Sequence, residues 1–212
     1  ITLNSGKLYV GNGAAGGRLL SGLVSNGGTV YLNNTADYSS SAVMTGAGAL
    51  TKQQTNNITL TGANTYTGAT TINGGTLTVG GSLSDSTSVA VASGANYVLN
   101  ASDTIAALTG AGNVNLNSYT LTLGNASGTY SGVMSGTGGL TISAGGLTLG
   151  GANTYSGTTT IGSGVTVTLS SGGNLGSGPI VNNGGTVSLG GSGGNFTLSA
   201  LSGSGLLKPK FS

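Results

Sequence analysis

Three carboxylates are the starting point for any chemistry in this sequence. The only acidic residues among 212 are Asp37, Asp85 and Asp103. General acid–base or glycosidic catalysis needs two carboxylates held a few ångströms apart, and the 18 residues from Asp85 to Asp103 could place them on adjacent turns of a repeating fold. Each Asp stands among Asn, Ser and Thr, however, in contexts where Asp commonly caps turns through its own side-chain hydrogen bonds. We therefore expect turn-capping carboxylates and no catalytic residue.

Missing residue types exclude several other kinds of site. The sequence contains no His and no Cys, which rules out Ser–His–Asp and Cys–His mechanisms and removes the usual zinc ligands. The string GGSGGN at 190–195 has the glycines of a calcium-binding repeat, but Asn195 stands where the carboxylate belongs. The string GNGAAGG at 11–17 leads into more strand pattern instead of the helix of a dinucleotide site. We expect no metal ion and no cofactor.

The few charges argue against nucleic acid and membranes as partners. Lys7, Arg18 and Lys52 are scattered, the formal net charge is +2, and no charged side chain lies between Thr104 and Leu207. A nucleic-acid surface would need clustered Lys and Arg. No apolar run approaches the ~20 residues of a membrane helix, and the opening ITLNSGKLYV lacks the features of a signal peptide. We expect no nucleic-acid partner, no membrane-spanning segment, and either a mature chain or a fragment.

The elements that would position any site belong to a long internal repeat. Three pairs of strings recur in the same order, at an offset of about 90 residues. The pairs are VMTGAGALT (43–51) with VMSGTGGLT (133–141), GANTYTG (62–68) with GANTYSG (151–157), and VASGANYVL (91–99) with VNNGGTVSL (181–189). One unit is therefore repeated, as 43–132 and 133–212, within a single domain covering 1–212.

Within each unit, apolar and polar residues alternate over short stretches such as TLTV at 76–79 and TVTL at 166–169. Alternation predicts strands of three to five residues with one buried face, and glycine clusters between them permit tight corners. A two-layer sandwich could use such strands, but a solenoid is favoured because each coil must present the same cross-section to the next. The sequence predicts an all-β, right-handed parallel β-helix (a β-solenoid) of about ten coils with a narrow interior of small aliphatic side chains.

The matched strings also resemble a known family. The pattern GxGxLT, the string LTGANTYTGATTINGGTLTV at 60–79 and the string LGSGPIVNNGGTVSL at 175–189 are similar to the autotransporter-associated β-strand repeat of bacterial passenger domains. The resemblance is best at 43–79 and 133–189. It implies a right-handed β-helix that is exported across a Gram-negative outer membrane and displayed on or shed from the cell surface. In that family the repeat is mostly a stalk.

The most specific string of the repeat suggests six structural positions. They are Asn64, Tyr66 and Gly68 in the first copy and Asn153, Tyr155 and Gly157 in the second. An exposed Tyr could act as a platform for stacking sugars. Because the whole string recurs around each Tyr, a structural role is favoured instead, in which Tyr closes a corner against the neighbouring coil and Asn satisfies corner backbone groups.

The last residues of the chain suggest protection of a strand edge. A solenoid exposes an unpaired strand at each end, which invites another chain to add to it. Lys208, Pro209 and Lys210 lie there, and charge with proline blunts such edges. We expect this tail to limit end-to-end stacking.

These observations together favour a non-enzymatic structural or adhesive stalk segment of an exported, autotransporter-like surface protein, extracellular and in contact with other cell-surface or matrix components. The alternative is a self-assembling subunit of an extracellular filament or sheath, because a nearly uncharged surface offers little repulsion between copies. A polysaccharide-binding or polysaccharide-acting β-helix is a weaker alternative, since acids are scarce. Ice binding through Thr-x-Thr strands is a minor option, because few coils carry the motif.

Overall fold

A computed structural model describes residues 1–190 and 200–208 of the chain. All regular secondary structure in these residues is β, and the paired strands run parallel, as in the pairings of Thr76–Val79 with Asn96–Leu99 and of Gly146–Leu149 with Thr166–Leu169. The same residues include no helix with the length and apolar character needed to cross a membrane. Strands are two to four residues long, slightly shorter than predicted, since the coil turns a corner after each one.

The 26 strands follow one another as short segments separated by corners. The first thirteen are β1 (Thr2–Leu3), β2 (Lys7–Val10), β3 (Leu23–Asn26), β4 (Thr29–Leu32), β5 (Tyr38–Ser40), β6 (Val43–Thr45), β7 (Ala49–Lys52), β8 (Asn57–Leu60), β9 (Thr70–Ile72), β10 (Thr76–Val79), β11 (Ser88–Val91), β12 (Asn96–Leu99) and β13 (Asp103–Ile105). The other thirteen are β14 (Ala107–Gly110), β15 (Asn113–Asn115), β16 (Leu121–Leu123), β17 (Thr129–Tyr130), β18 (Met134–Ser135), β19 (Leu140–Ile142), β20 (Gly146–Leu149), β21 (Thr159–Ile161), β22 (Thr166–Leu169), β23 (Ile180–Asn182), β24 (Thr186–Leu189), β25 (Leu201–Gly203) and β26 (Leu206–Lys208).

Each coil has three faces, which we call A, B and C in the order in which the chain visits them. Face B is one sheet of 11 strands, β2-β4-β7-β9-β11-β14-β17-β20-β22-β24-β26. Face C begins as the sheet β5-β8-β10-β12-β15-β18, and face A consists of two sheets, β1-β3-β6 and β13-β16-β19-β21-β23-β25. Eleven successive strands on face B correspond to about ten coils, which confirms the predicted β-solenoid.

One coil takes about 20 residues, and its rise is the distance between paired strands. On face B, Lys7 lies beside Thr29 and Thr29 lies beside Ala49. Because paired strands are ~4.8 Å apart, ten coils make a rod about 50 Å long.

The inward-facing side chains form one continuous core along the rod. Most are aliphatic and stack on the residue at the same position of the next coil, as Leu147 does on Val167 and Leu149 does on Leu169. Burial of each such side chain contributes roughly 1.5–3 kcal/mol. The interior is less uniform than the sequence predicted, because it also contains four fully buried Tyr side chains and the buried, ionisable Lys52 and Asp103. The four are Tyr66, Tyr97, Tyr130 and Tyr155.

The two copies of the repeat lie on different faces of the rod. In the first copy VMT forms β6 on face A, whereas in the second copy the equivalent string forms β18 on face C. Four complete coils lead from β6 to β16 on face A, and then β17 on face B and β18 on face C complete the unit. Each unit is therefore four coils and two faces long, so the second copy is turned about the rod axis relative to the first.

Candidate functional site

The two Asn residues of the GANTY strings join neighbouring coils where a regular strand is missing. Asn64 lies on face A after β6, and its Oδ1 accepts a hydrogen bond of 2.9 Å from the backbone N–H of Met44. Its Nδ2 donates to the carbonyl of Ser82 in the next coil, also at 2.9 Å. Asn153 makes the equivalent two bonds on face C, at 2.8 and 2.7 Å. Each buried amide thus replaces part of a strand ladder.

Tyr66 begins a directed chain of hydrogen bonds inside the first copy. The Thr87 hydroxyl donates to the carbonyl of Gly68 at 2.6 Å. Because each hydroxyl has one hydrogen, the 3.1 Å contact from Thr70 to Thr87 must be donated by Thr70. The Tyr66 hydroxyl then donates to Thr70 at 2.6 Å. The structure therefore brings Tyr66 and Gly68 together through two buried Thr side chains.

The second copy has a shorter version of this chain. The Thr159 hydroxyl donates to the carbonyl of Leu175 at 3.1 Å, so the Tyr155 hydroxyl donates to Thr159 at 2.6 Å. Tyr155, like Tyr66, has no solvent-exposed surface. A sugar has no access to either ring.

Gly68 and Gly157 lie where the backbones of two coils approach each other closely. A Cβ on Gly68 would overlap the backbone of Gly48 in the preceding coil, and a Cβ on Gly157 would overlap the backbone of Gly138. Steric contact between coils therefore accounts for glycine at both positions.

Asp103 differs from the predicted turn-capping carboxylate, because it begins strand β13 and points into the rod. It is only 4% exposed, and it accepts hydrogen bonds from the backbone N–H of Leu83 at 3.2 Å and from the Tyr97 hydroxyl at 3.0 Å. Burial raises the pKa of the Asp103 carboxyl from 3.8 to about 6; the hydrogen bonds oppose this rise, and the charge of Asp85 adds to it. Asp37, by contrast, is exposed and accepts hydrogen bonds from Asn57.

Lys52 is a second ionisable group in the interior that the sequence analysis did not predict. Its Nζ donates to Asn56 Oδ1 at 2.9 Å, to the carbonyl of Gly74 at 3.2 Å and to the carbonyl of Gln54. These three acceptors match the three hydrogens of an ammonium group. Burial lowers the pKa of the Lys52 amine from 10.5 to about 8, although the charge of Asp37 raises it. The residues described contain no group of three or more His, Cys, Asp or Glu that could hold a metal ion.

The outer surface of face C contains a groove of about 510 Å³. It crosses strands β10, β12, β15 and the approach to β18, and its lining includes Thr76, Asn96, Val98, Asn113, Asn115 and Val133. None of its lining residues is charged. This groove is the candidate binding site, and sequence analysis did not predict it, because concavity depends on how the corners of successive coils are placed.

The C-terminal tail is only partly described. Lys208 ends β26 beside Ser188, and its side chain is exposed. Pro209 and Lys210, and likewise Asn195, lie outside the described residues. The hypothesis that this tail limits stacking stays a prediction.

Comparison with known proteins supports the family suggested by the repeated strings. Residues 50–79 and residues 143–169 each match a family model described as Passenger-associated-transport-repeat. The chain matches no curated protein and no solved structure. The matched segments contain the whole GANTY string in both copies, and both fold into the coils described above. Two segments of the chain therefore match the passenger-associated-transport-repeat family model, and both are built into one β-solenoid.

Proposed function

We propose that this chain is a non-enzymatic stalk segment of a surface-displayed or secreted bacterial passenger. Its role is to hold adhesive or other regions at a fixed distance from the cell and to contact surrounding surfaces. The observation that carries the proposal is the stack of about ten coils with one continuous core. In such a solenoid each coil contacts only its neighbours, so length can change without a change of cross-section.

The placement of the carboxylates supports a role without catalysis. Asp37 is exposed on face C, whereas Asp103 is buried and occupied by Leu83 and Tyr97. Hydrolytic chemistry of the glycosidase type requires two carboxylates that both reach the substrate. The buried Asp103 does not face solvent, so the 18-residue spacing from Asp85 to Asp103 does not supply a second accessible carboxylate.

The experiment that tests the stalk is a measurement of rod length in matched variants. Negative-stain electron microscopy of the purified chain should reveal isolated rods about 50 Å long, with a monomer mass on size-exclusion chromatography. Inserting a second copy of residues 43–132 directly after Gly132 should lengthen the rod by about 22 Å, because the unit contains four coils and two faces. A globular particle, or an insertion that fails to lengthen the rod, would contradict the proposal.

A filament subunit is the second candidate, and the scarcity of charge favours it, because no charged side chain lies between Thr104 and Leu207 to repel a neighbouring copy. Exposed large apolar side chains of the described residues, among them Leu23 and Leu206, offer contact area to such a copy. Long filaments in the micrographs, lost in the double variant Leu23→Ser with Leu206→Ser, would establish this candidate in place of the stalk.

A further inference from the structure

The groove on face C has hydrogen-bonding groups that the protein leaves unused. Asn96 and Asn113 are neighbours on adjacent coils, and one weak contact of 3.5 Å joins Asn113 Nδ2 to Asn96 Oδ1. Asn115 accepts a hydrogen bond from the backbone N–H of Asn117 at 2.9 Å. Within the described chain, Asn96 Nδ2, Asn113 Oδ1 and Asn115 Nδ2 have no partner. These amides offer both donors and acceptors toward the groove.

Two buried Asn residues contrast with those of the groove, because each uses both atoms of its side-chain amide. Asn64 uses its Oδ1 and its Nδ2 in bonds to the backbone of neighbouring coils. Asn26 also uses both atoms: its Oδ1 accepts from the backbone N–H of Gly28 in its own coil, and its Nδ2 donates to the Ala49 carbonyl in the next coil, each at 3.0 Å. The groove combines several half-satisfied amides in one concave surface.

The remaining lining selects for a neutral ligand with apolar patches. No lining residue is charged, so an anionic or cationic ligand would find no counter-charge. Val98 and Val133 lie beside the amides and provide apolar contact area. Small-ligand sites commonly combine apolar surface with a few placed polar groups that fix orientation. Hydroxyl groups alternating with C–H surfaces are the chemistry of a sugar ring.

The arrangement of the amides favours an extended ligand. Asn113 lies one rung above Asn96, and Asn96 lies one rung above Thr76. Because the rungs are ~4.8 Å apart, polar groups recur along the rod axis at a spacing that successive units of a chain can contact. A single small solute would use only one rung.

We propose that the groove on face C is a binding site for a neutral, linear carbohydrate chain lying along the rod axis. Asn96, Asn113 and Asn115 supply the hydrogen bonds, and Val98 and Val133 contact the apolar faces of the sugar rings. The site goes beyond the stalk role, because it gives the rod itself an affinity for polysaccharide without any chemical step.

The test uses the full chain and nuclear magnetic resonance of the Asn side-chain amides. The probes are short linear oligomers of glucose, mannose and N-acetylglucosamine, with an oligogalacturonate as the acidic comparison. At least one neutral oligomer should shift the amide signals of Asn96, Asn113 and Asn115 saturably, and the acidic oligomer should bind more weakly. No saturable shift from any neutral oligomer, or equal binding of the acidic one, would overturn the proposal.

A matched pair of double variants tests whether carbohydrate binding depends on the groove or on any outward face of the rod. Asn96→Val with Asn113→Val removes two groove amides while keeping good strand formers, and should weaken binding about tenfold or more because two hydrogen-bonding groups are lost. The control is Thr122→Val with Thr141→Val, which changes two adjacent outward-facing positions on face A. Equal weakening in both double variants would overturn the site. Rod length, which tests the stalk, is independent of either result.

Discussion

At one interior position, the first copy of the repeat has a cationic side chain and the second copy has an aliphatic one. Lys52 ends β7 in the first copy, and Ile142 ends β19 in the second. Both side chains are fully buried. The surrounding strings, GALTK and GGLTI, are otherwise similar. The interior of this solenoid therefore accepts a cation or an aliphatic side chain at the same place, and the local backbone decides which.

The difference lies in the corner that follows. Four residues, 53–56, separate β7 from β8, whereas three residues, 143–145, separate β19 from β20. The longer corner turns the Gln54 carbonyl and the Asn56 side chain toward Lys52 Nζ. A buried charge is tolerated only when such partners satisfy its hydrogen bonds. One additional corner residue therefore accompanies the change from Ile to Lys.

A second interior position also has a hydrogen-bonded polar side chain in the first copy and an aliphatic one in the second. Tyr97 on β12 corresponds to Val187 on β24, and both are buried. The Tyr97 hydroxyl donates to the Asp103 carboxylate. The first copy thus has two polar clusters in its core, around Lys52 and Asp103, where the second copy has Ile142 and Val187.

The largest effect is expected when the lysine of the first copy is placed at the equivalent position of the second copy. Ile142→Lys places an ammonium group in a corner that is one residue shorter, and we expect it to lower the free energy of unfolding by roughly 3–5 kcal/mol. Urea unfolding followed by circular dichroism measures the loss. Ile142→Met, which keeps the volume without a charge, should cost under about 1.5 kcal/mol. Similar midpoints for the Lys and Met variants would show that the corner does not select the side chain.

Much of this architecture could be predicted from the sequence. Alternation and the repeated strings indicate parallel strands stacked in about ten coils, because those features depend on local pattern alone. The alternation pattern of the sequence also indicates that the two ionisable groups face inward. Lys52 alternates with Leu50, and Asp103 alternates with Ile105, so each occupies an inward position of its strand. Charge argued against burial, and the partners that permit it include groups of neighbouring coils, the Gly74 carbonyl for Lys52 and the Leu83 N–H for Asp103.

The rotation of the second copy and the groove could not be predicted in the same way. Both depend on summing the small differences in corner length over several coils, and strand boundaries from sequence are uncertain by a few residues. An error of one corner residue per coil would move β18 to another face. The free amides of Asn96 and Asn113 become a site only once the register places them on adjacent rungs.

The free energy of unfolding should depend on pH through Asp103, which belongs to the first copy. Its pKa is raised from 3.8 to about 6, so the folded chain binds this proton more tightly than the unfolded chain. The resulting stability is complete below about pH 4 and is lost as the pH rises through 6, by roughly 3 kcal/mol in total. Urea midpoints at pH 4 and pH 7 measure it. Asp103→Asn should remove most of this pH dependence and Asp85→Asn should not; the same slope in both variants would assign the effect to another group.

The smallest expected effect concerns the buried hydrogen bond from Tyr to Thr that both copies contain. Tyr66→Phe and Tyr155→Phe each remove one hydroxyl at the start of a hydrogen-bond chain. Thr70 and Thr159 keep the acceptors of their own hydrogens, Thr87 and the Leu175 carbonyl, so no buried donor loses its partner. Each variant should therefore cost only about 1 kcal/mol, and the two costs should agree although the chains differ in length. Thr159→Val leaves the Tyr155 hydroxyl without its acceptor and should cost more than Tyr155→Phe. If Tyr66→Phe were several-fold more costly than Tyr155→Phe, the first copy's longer chain would act as a cooperative network, and the two corners would no longer be equivalent.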